Sequence, residues 1–193
     1  GVFGVRGALS AETAATAAVE VDEALCAASA RVEEQSDQDV RFFGPVRERT
    51  NRSDLRLYFR GALRAAVLEL VAAVAPLLAE VVTDEALVCE LACIIADPGA
   101  PRQQLHADTK IDDRGYLVRI FVALQDVDRD MGGTVVIPTS HRASLHAEFK
   151  AEMSCRQMAS LADIVLIVDR SASPNVTILL LSNRSVCSFG SAG

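Results

Sequence analysis

The chain has 193 residues, of which half are hydrophobic and 23% are charged. That length and apolarity suit a globular protein with a buried core and exclude a disordered chain. The formal charge is −7, from 26 acidic and 19 basic residues, which argues against a nucleic-acid-binding protein, since such proteins normally carry a basic face. We expect a single domain over residues 1–193, with a mainly helical and loop part in 1–85 and a β-rich core in 86–193.

The five cysteines are odd in number and show no zinc-knuckle spacing. Cys89 and Cys93 follow a C-x3-C spacing inside an apolar run, which favours buried thiols. This usage indicates a reducing compartment, so we expect an intracellular protein that is not secreted. The first residue is Gly1 rather than methionine, which is compatible with an organelle import peptide that has been removed.

The first part of the chain predicts two helices separated by a loop. Residues 9–34 form the first, because Ser10 can cap it, Glu12 suits its first turn and alanines dominate. Residues 35–58 are polar and turn-rich and predict a loop. Residues 60–81 predict a second helix, kinked or broken near Pro76, and Thr83 or Asp84 opens a further short element.

The most apolar run, residues 65–82, lies within this second helix. It contains Glu69, Pro76 and Glu80, so we interpret it as a buried helix and not as a membrane span.

Short strands dominate the rest of the chain. Runs of branched apolar residues between turn signals predict strands over Leu87–Ala96, Leu117–Val127, Thr134–Ile137, Ile164–Val168, Thr177–Leu181 and Ser185–Phe189. Helices followed by several strands indicate an α+β chain, and a double-sheet jelly roll is one way for such strands to close up.

Two metal-ligand side chains stand close together at His106 and Asp108. On a β-strand, residues i and i+2 point to the same face, so both groups could reach one metal ion. Two histidines and one carboxylate on one face hold the metal of iron(II) oxygenases. The function of this pair therefore depends on a second histidine.

Several segments around this pair resemble the phytanoyl-CoA dioxygenase-like group of iron(II)/2-oxoglutarate oxygenases. The segments are Arg6-Gly-Ala-Leu-Ser10, Cys93-Ile-Ile-Ala-Asp-Pro-Gly-Ala-Pro-Arg-Gln-Gln-Leu-His-Ala-Asp-Thr109, Phe121-Val-Ala-Leu-Gln-Asp126 and Met131-Gly-Gly-Thr-Val-Val-Ile-Pro-Thr-Ser-His141. The resemblance implies a double-stranded β-helix (jelly roll) core with N-terminal helices packed on one sheet.

The same resemblance assigns the site residues. It makes His106 and Asp108 two iron ligands, and it expects a histidine three residues past the arginine at position 170, where this chain has Ser173. Arg184 stands at the position where the family has the arginine that binds the 2-oxoglutarate carboxylate. The two other histidines, His141 and His146, fall outside the ligand position, so we expect Ser173 to lie beside His106 and Asp108.

These positions leave more than one function open. The His106–Asp108 pair is either a metal site or an inherited pair without metal, and Arg184 is either a dicarboxylate clamp or an ordinary ion pair. Our leading hypothesis is a non-catalytic dioxygenase-fold protein with no cofactor bound, serving as a structural or accessory subunit. The alternatives are an active iron(II)/2-oxoglutarate-dependent hydroxylase and a non-catalytic dicarboxylate-binding module.

The expected partners are other protein subunits, with no nucleic acid and no membrane span. The surfaces we expect to carry such contacts are the outer face of the Leu63–Leu78 helix and the loop from Phe42 to Phe59. The resemblance also allows a plastid as the organelle.

Overall fold

The computed structural model of the chain describes residues 2–34, 39–104, 106, 115–127, 131, 133–136, 164–169 and 171–183. The helices in this part are α1 (Ala11–Glu34), α2 (Asp39–Phe42) and α3 (Gly61–Ala79). The strands are β1 (Val2–Val5), β2 (Arg52–Arg56), β3 (Leu87–Ala96), β4 (Gly115–Ala123), β5 (Ile164–Asp169) and β6 (Ser171–Asn183).

Helix α1 begins as predicted, with Ser10 at its N-cap. The Ser10 hydroxyl accepts a hydrogen bond from the Thr13 N–H at 3.1 Å, which satisfies one of the four N–H groups that every helix start leaves open. Glu69 of α3 accepts two more, from the Ser10 N–H and the Thr13 hydroxyl. The bond from Thr13 first, and then that from Ser10, hold the pKa of Glu69 below its usual value.

Helix α3 is capped in return by a carboxylate of α1. Its N-cap residue, Arg60, makes no side-chain cap bond; instead Glu20 accepts hydrogen bonds from the N–H groups of Ala62 and Leu63, at 2.5 and 3.1 Å. Gly61 makes this approach possible, because its φ is +52° and a Cβ there would lie 2.6 Å from the Glu20 carboxylate. Each of the two helices therefore supplies a glutamate that caps the N-terminus of the other.

The six described strands form one mixed sheet in the order β1-β5-β4-β6-β3-β2. The pairs β1–β5, β5–β4 and β3–β2 are antiparallel, whereas β6 is parallel to both of its neighbours, β3 and β4. The N-terminal part of the chain thus supplies both edge strands, and the last described strand lies in the middle.

The helices pack on one face of this sheet through a single main core. The inward face of α3 contributes Leu63, Ala66, Val67, Leu70, Val74 and Leu78. The sheet contributes Leu55, Cys93, Ile95, Val118, Ile120, Val122 and Ile178, all buried. By length and composition alone α3 could cross a membrane, a test that the core helix of a soluble protein also passes. The residues of α3 that pack into the main core account for part of its apolar composition.

Several sequence predictions are wrong in detail. The loop over 35–58 contains α2 and the edge strand β2, because a strand at a sheet edge needs only one partner and β3 supplies it. Helix α3 is not broken at Pro76 but continues to Ala79; the proline removes only its own backbone donor, to Ala72, and three more residues follow it in the helix. The predicted kink stays a prediction. Residues 83–86 make a turn rather than a new element.

Two further predictions fail in the strands. Cys93 is buried as predicted, but Cys89 is exposed, because the register of β3 against β6 shifts between Val88 and Glu90 and the first half of β3 lies in solvent. Of Thr134–Ile137, residues 134–136 are described and form only an isolated bridge at Val135. The strand predicted at Ser185–Phe189 lies outside the described residues.

The α+β content agrees with the prediction, and so does the packing of helices on one sheet face. A jelly roll has two facing sheets, whereas the described strands form one. The second sheet stays a prediction.

Candidate functional site

The segment that leads from β3 to His106 is fastened to the loop before β2. A turn follows β3, closed by the Ala100 N–H donating to the Asp97 carbonyl at 3.0 Å. The side chain of Asn51 donates to the Pro98 carbonyl, and that of Arg52 to the Pro101 carbonyl. Side-chain donors to carbonyls, together with one backbone bond from the Asp97 N–H to the Asn51 carbonyl at 2.8 Å, therefore hold this stretch.

His106 itself lies in irregular backbone and not in a strand, contrary to the prediction. Prolines at 98 and 101 cannot donate to a ladder, which explains why the strand ends before this point. The argument that His106 and Asp108 share a strand face therefore does not hold at His106, and Asp108 lies outside the described residues.

A backbone carbonyl two residues earlier orients the ring of His106. Its Nδ1 lies 2.7 Å from the carbonyl oxygen of Gln104, and the side chain is exposed. A carbonyl only accepts, so Nδ1 carries the proton and donates it. The neutral ring then has its lone pair on Nε2, the arrangement that metal-binding histidines commonly show.

Ser173 lies near the start of β6, where the pairing with β4 is irregular. Gly115 pairs with Ser171 but Leu117 pairs with Asn175, so residues 172–174 stand opposite residue 116 alone. Irregularities of this kind are where a strand tolerates proline, and Pro174 occupies this one. By register, the start of β6 is level with the start of β3, while His106 follows the end of β3.

The donor set that the sequence resemblance predicts does not fit the metal that the motif implies. A histidine, a carboxylate and a serine hydroxyl lack the second imidazole of the iron(II) triad. Among the residues that the structure describes, no group of three or more His, Cys, Asp or Glu side chains could hold a metal ion. Arg184, His141 and His146 lie outside those residues, so their roles remain as predicted from the sequence.

Sequence reasoning missed a polar group on the sheet face away from the helices. Asp54 is only 9% exposed, and its Oδ1 has no hydrogen-bond partner among the described groups. Burial, and then the charge of Glu90, raise the pKa of Asp54 from 3.8 to about 6, although Arg56 and Arg119 act in the opposite direction. A titratable group of this kind is a functional-site candidate.

Strand alternation accounts for this placement. Leu55 points into the main core, so its neighbour Asp54 points to the opposite face. There Asp54 borders a small surface cavity that Phe43, Gly44, Val46, Arg49, Arg52 and Ser53 also line. A Cβ on Gly44 would overlap the Asp54 carboxylate, so glycine is required beside it. The sequence of β2, Arg-Ser-Asp-Leu-Arg, holds a single apolar residue, so no local pattern marked Asp54 for burial.

A comparison with models of protein families identifies the family of the chain. The model of the phytanoyl-CoA dioxygenase (PhyH) family matches residues 1–164. This chain belongs to the phytanoyl-CoA dioxygenase family. The family comprises 2-oxoglutarate oxygenases that usually use iron(II) and 2-oxoglutarate, and it implies a jelly-roll dioxygenase fold. The matched range includes His106 and Asp108, whereas Ser173 and Arg184 follow it.

Neither the curated proteins nor the solved structures contain a match to the chain.

Proposed function

We propose that this phytanoyl-CoA dioxygenase family protein no longer catalyses the iron(II)/2-oxoglutarate reaction and acts as a structural or accessory subunit. The proposal is supported by the sequence resemblance, which expects the second histidine at the position where this chain has Ser173. A neutral hydroxyl is a much weaker ligand for iron(II) than imidazole, and two remaining protein ligands hold the ion poorly.

The surroundings of Ser173 support the same conclusion. Pro174 restricts the backbone of Ser173 to extended conformations, and residues 176–181 pair with β3 on one side and β4 on the other. Ile178 in this stretch is fully buried in the main core. A strand held in this way by both neighbours has little freedom to open a co-substrate pocket. The jelly roll and the non-catalytic state belong to this proposal, as does an intracellular, plastid setting.

The intact core supports a role in assembly. When a protein keeps its core packing but not its catalytic activity, the remaining role of the fold is to present a surface for contacts with other proteins. Tyr58 and Phe59, at the end of the predicted contact loop, are 65% and 52% exposed, and exposed aromatic side chains are typical of contact surfaces.

Iron loading and co-substrate turnover test the proposal. After anaerobic loading with iron(II) and desalting, we expect the chain to retain far less than one equivalent of iron and to release no succinate from 2-oxoglutarate above a protein-free control. Ser173→His should raise iron(II) affinity by at least about tenfold, since it adds the missing imidazole. Succinate release should stay near background because the strand around it is unchanged.

Ser29→His, at an exposed position on α1 away from β6, is the matched control and should bring no gain in iron affinity. A full equivalent of iron with steady succinate release by the unaltered chain would establish the active oxygenase instead. No gain from Ser173→His would mean that Ser173 is not at the ligand position. Binding of 2-oxoglutarate without turnover, lost in Arg184→Ala, would establish the dicarboxylate-binding module.

A further inference from the structure

A hydroxyl lies among positive charges in the loop before β2. Three of the six residues 47–52 are arginines, and Thr50 follows Arg47 by three positions and Arg49 by one. The opposing charge within this stretch is that of Glu48 alone. Protein kinases choose a hydroxyl partly by the charges that flank it, and a kinase with an acidic substrate groove attracts a basic flank. The stretch is therefore typical of a phosphate acceptor for such a kinase.

The structure separates Thr50 from Ser53, the other hydroxyl of the same run. Thr50 is exposed in a turn that the Arg52 N–H closes by donating to the Arg49 carbonyl at 3.1 Å. Ser53 is only partly exposed and lies within β2, where it pairs with Ile95 of β3. A kinase must draw the acceptor backbone into its own groove, which an exposed turn permits and a strand ladder resists. Thr50 is therefore the accessible hydroxyl of the two.

Arg52 of the same loop holds the segment that leads to His106. Its Nη1 donates to the Glu48 carbonyl at 2.9 Å, and its Nη2 donates to the Pro101 carbonyl at 2.8 Å. Both of these acceptors are neutral. An ionised acceptor placed beside Arg52 would therefore compete with them, because it adds an opposite charge that a carbonyl lacks.

We propose that Thr50 is a phosphorylation site for an arginine-directed protein kinase, and that its phosphate draws Arg52 away from Pro101. In the transfer, the Thr50 Oγ forms a bond to the γ-phosphorus of ATP, and the bond from that phosphorus to the β–γ bridging oxygen breaks. ADP leaves, and the hydroxyl proton passes to the catalytic carboxylate of the kinase. The product carries a charge of about −1.5 to −2 at neutral pH.

The phosphate is a better acceptor for Arg52 than the two carbonyls are. A guanidinium binds phosphate through two parallel hydrogen bonds to a group of opposite charge, whereas a carbonyl supplies one neutral acceptor. Arg52 closes the turn in which Thr50 lies, so the two side chains belong to the same turn. Arg47 and Arg49 add positive charge nearby, which favours the ionised phosphate further.

Release of Pro101 loosens the chain just before His106. The start of the segment stays fastened, because the Asn51 carbonyl accepts from the Asp97 N–H at 2.8 Å and the Asn51 side chain donates to the Pro98 carbonyl at 3.0 Å. The bond that phosphorylation breaks lies between this start and His106. Phosphorylation therefore controls how firmly the chain before His106 is held. This control does not depend on whether the chain is catalytic, so iron binding does not bear on it.

Incubation of the folded full chain with an arginine-directed Ser/Thr kinase and MgATP tests the site. Mass spectrometry should find a phosphate on the peptide that contains Thr50. Thr50→Ala should lower incorporation at least about tenfold, whereas Thr50→Ser should retain it, and Arg47→Ala should lower the rate at least about fivefold. Arg41→Ala removes an exposed arginine outside this stretch; it is the matched control and should leave the rate unchanged.

Nuclear magnetic resonance relaxation at one fixed pH tests the effect on the segment. On phosphorylation, the order parameters of the amide groups of residues 102–104 should fall from about 0.85, typical of rigid backbone, to below about 0.6. Arg52→Ala should produce the same fall without phosphate. Phosphorylation of that variant should add little, because both changes act through the same hydrogen bond. The order parameters of α1 should stay constant throughout.

Three results would overturn the proposal. They are the absence of phosphate at Thr50, a phosphate on Ser53 instead, and a phosphate on Thr50 that leaves the order parameters of residues 102–104 unchanged. Circular dichroism confirms that each variant is folded, and Thr50→Ser keeps the test valid should Thr50→Ala disturb the turn.

Discussion

At the scale of single residues, burial decides which polar groups carry unusual chemistry. Asp54 lies on a five-residue strand whose neighbour Leu55 enters the core, and the fold leaves its carboxylate with few hydrogen-bond partners. Removing a charged carboxylate from water without full compensation is costly. The raised pKa of Asp54 expresses that cost, so the charged form destabilises the folded chain at neutral pH.

The first prediction concerns the pH dependence of stability. The folded pKa of Asp54, about 6, exceeds its ordinary value of 3.8, so between these values the folded chain binds more protons than the unfolded chain. The stabilisation that protonated Asp54 gives to the folded chain is therefore present at low pH and is lost as pH rises through 6. Asp54→Asn should raise the free energy of unfolding by about 1–2 kcal/mol at pH 8 and by little at pH 4.

Urea unfolding at a series of pH values measures this difference. Asp22→Asn, which removes an exposed carboxylate on α1, is the control and should have little effect at either pH. A benefit of Asp54→Asn that is equal at pH 4 and pH 8 would contradict the role assigned to the charge.

At the scale of helices and strands, α1 and α3 depend on each other for their N-termini. Each start leaves N–H groups open, and each is completed by a glutamate from the other helix, at a separation of 42 residues in the case of Glu20 and Ala62. The capping residue of α3 therefore cannot be found near Arg60 in the sequence. Neither helix is expected to be fully formed without the other.

The second prediction concerns Gly61. Gly61→Ala should destabilise the chain by about 2–3 kcal/mol, because alanine is strained at positive φ and its Cβ would displace the Glu20 carboxylate. Gly7→Ala is the matched control, since Gly7 has a similar φ of +63° but nothing within 4 Å of the added Cβ. It should cost only about 1 kcal/mol.

Thermal unfolding followed by circular dichroism measures both changes. In a Glu20→Ala background the extra cost of Gly61→Ala over Gly7→Ala should largely vanish, since the clashing carboxylate is gone. If the extra cost persists there, the contact with Glu20 is not its cause.

At the scale of the whole molecule, the parallel position of β6 organises the sheet. Among the described strands it has partners on both sides, whereas β1 and β2 lie at the edges with one partner each. The main core then joins α1 and α3 to the central strands. The segment that pairs with β3 at the centre of the sheet, β6, is distant from it in sequence. We therefore expect the hydrogen bonds of the central strands to be the last to break on unfolding.

The third prediction follows from this topology. The amide protons of residues 176–181 should exchange with solvent at least about tenfold more slowly than those of Val2–Val5, because opening the central strand requires global unfolding while an edge strand can fray. Hydrogen exchange with peptide-level mass analysis measures both segments. Equal exchange rates would contradict the central placement of β6.

Local patterns were sufficient to predict much of this protein. The bounds of β3 agree with the predicted Leu87–Ala96, and α1 begins behind Ser10, because alternation, helix periodicity and caps act between near neighbours. The motifs around His106 were also enough to indicate the family to which the chain belongs.

Only the tertiary structure decided the edge strands, the reciprocal caps and the burial of Asp54. Residues 52–56 look like a polar loop and become a strand because β3 offers them an edge. Glu20 is one of several acidic residues on α1, and only the position of α3 makes it a cap. In each case the deciding partner is far away in the chain, and no local pattern of residues encodes its distance or direction.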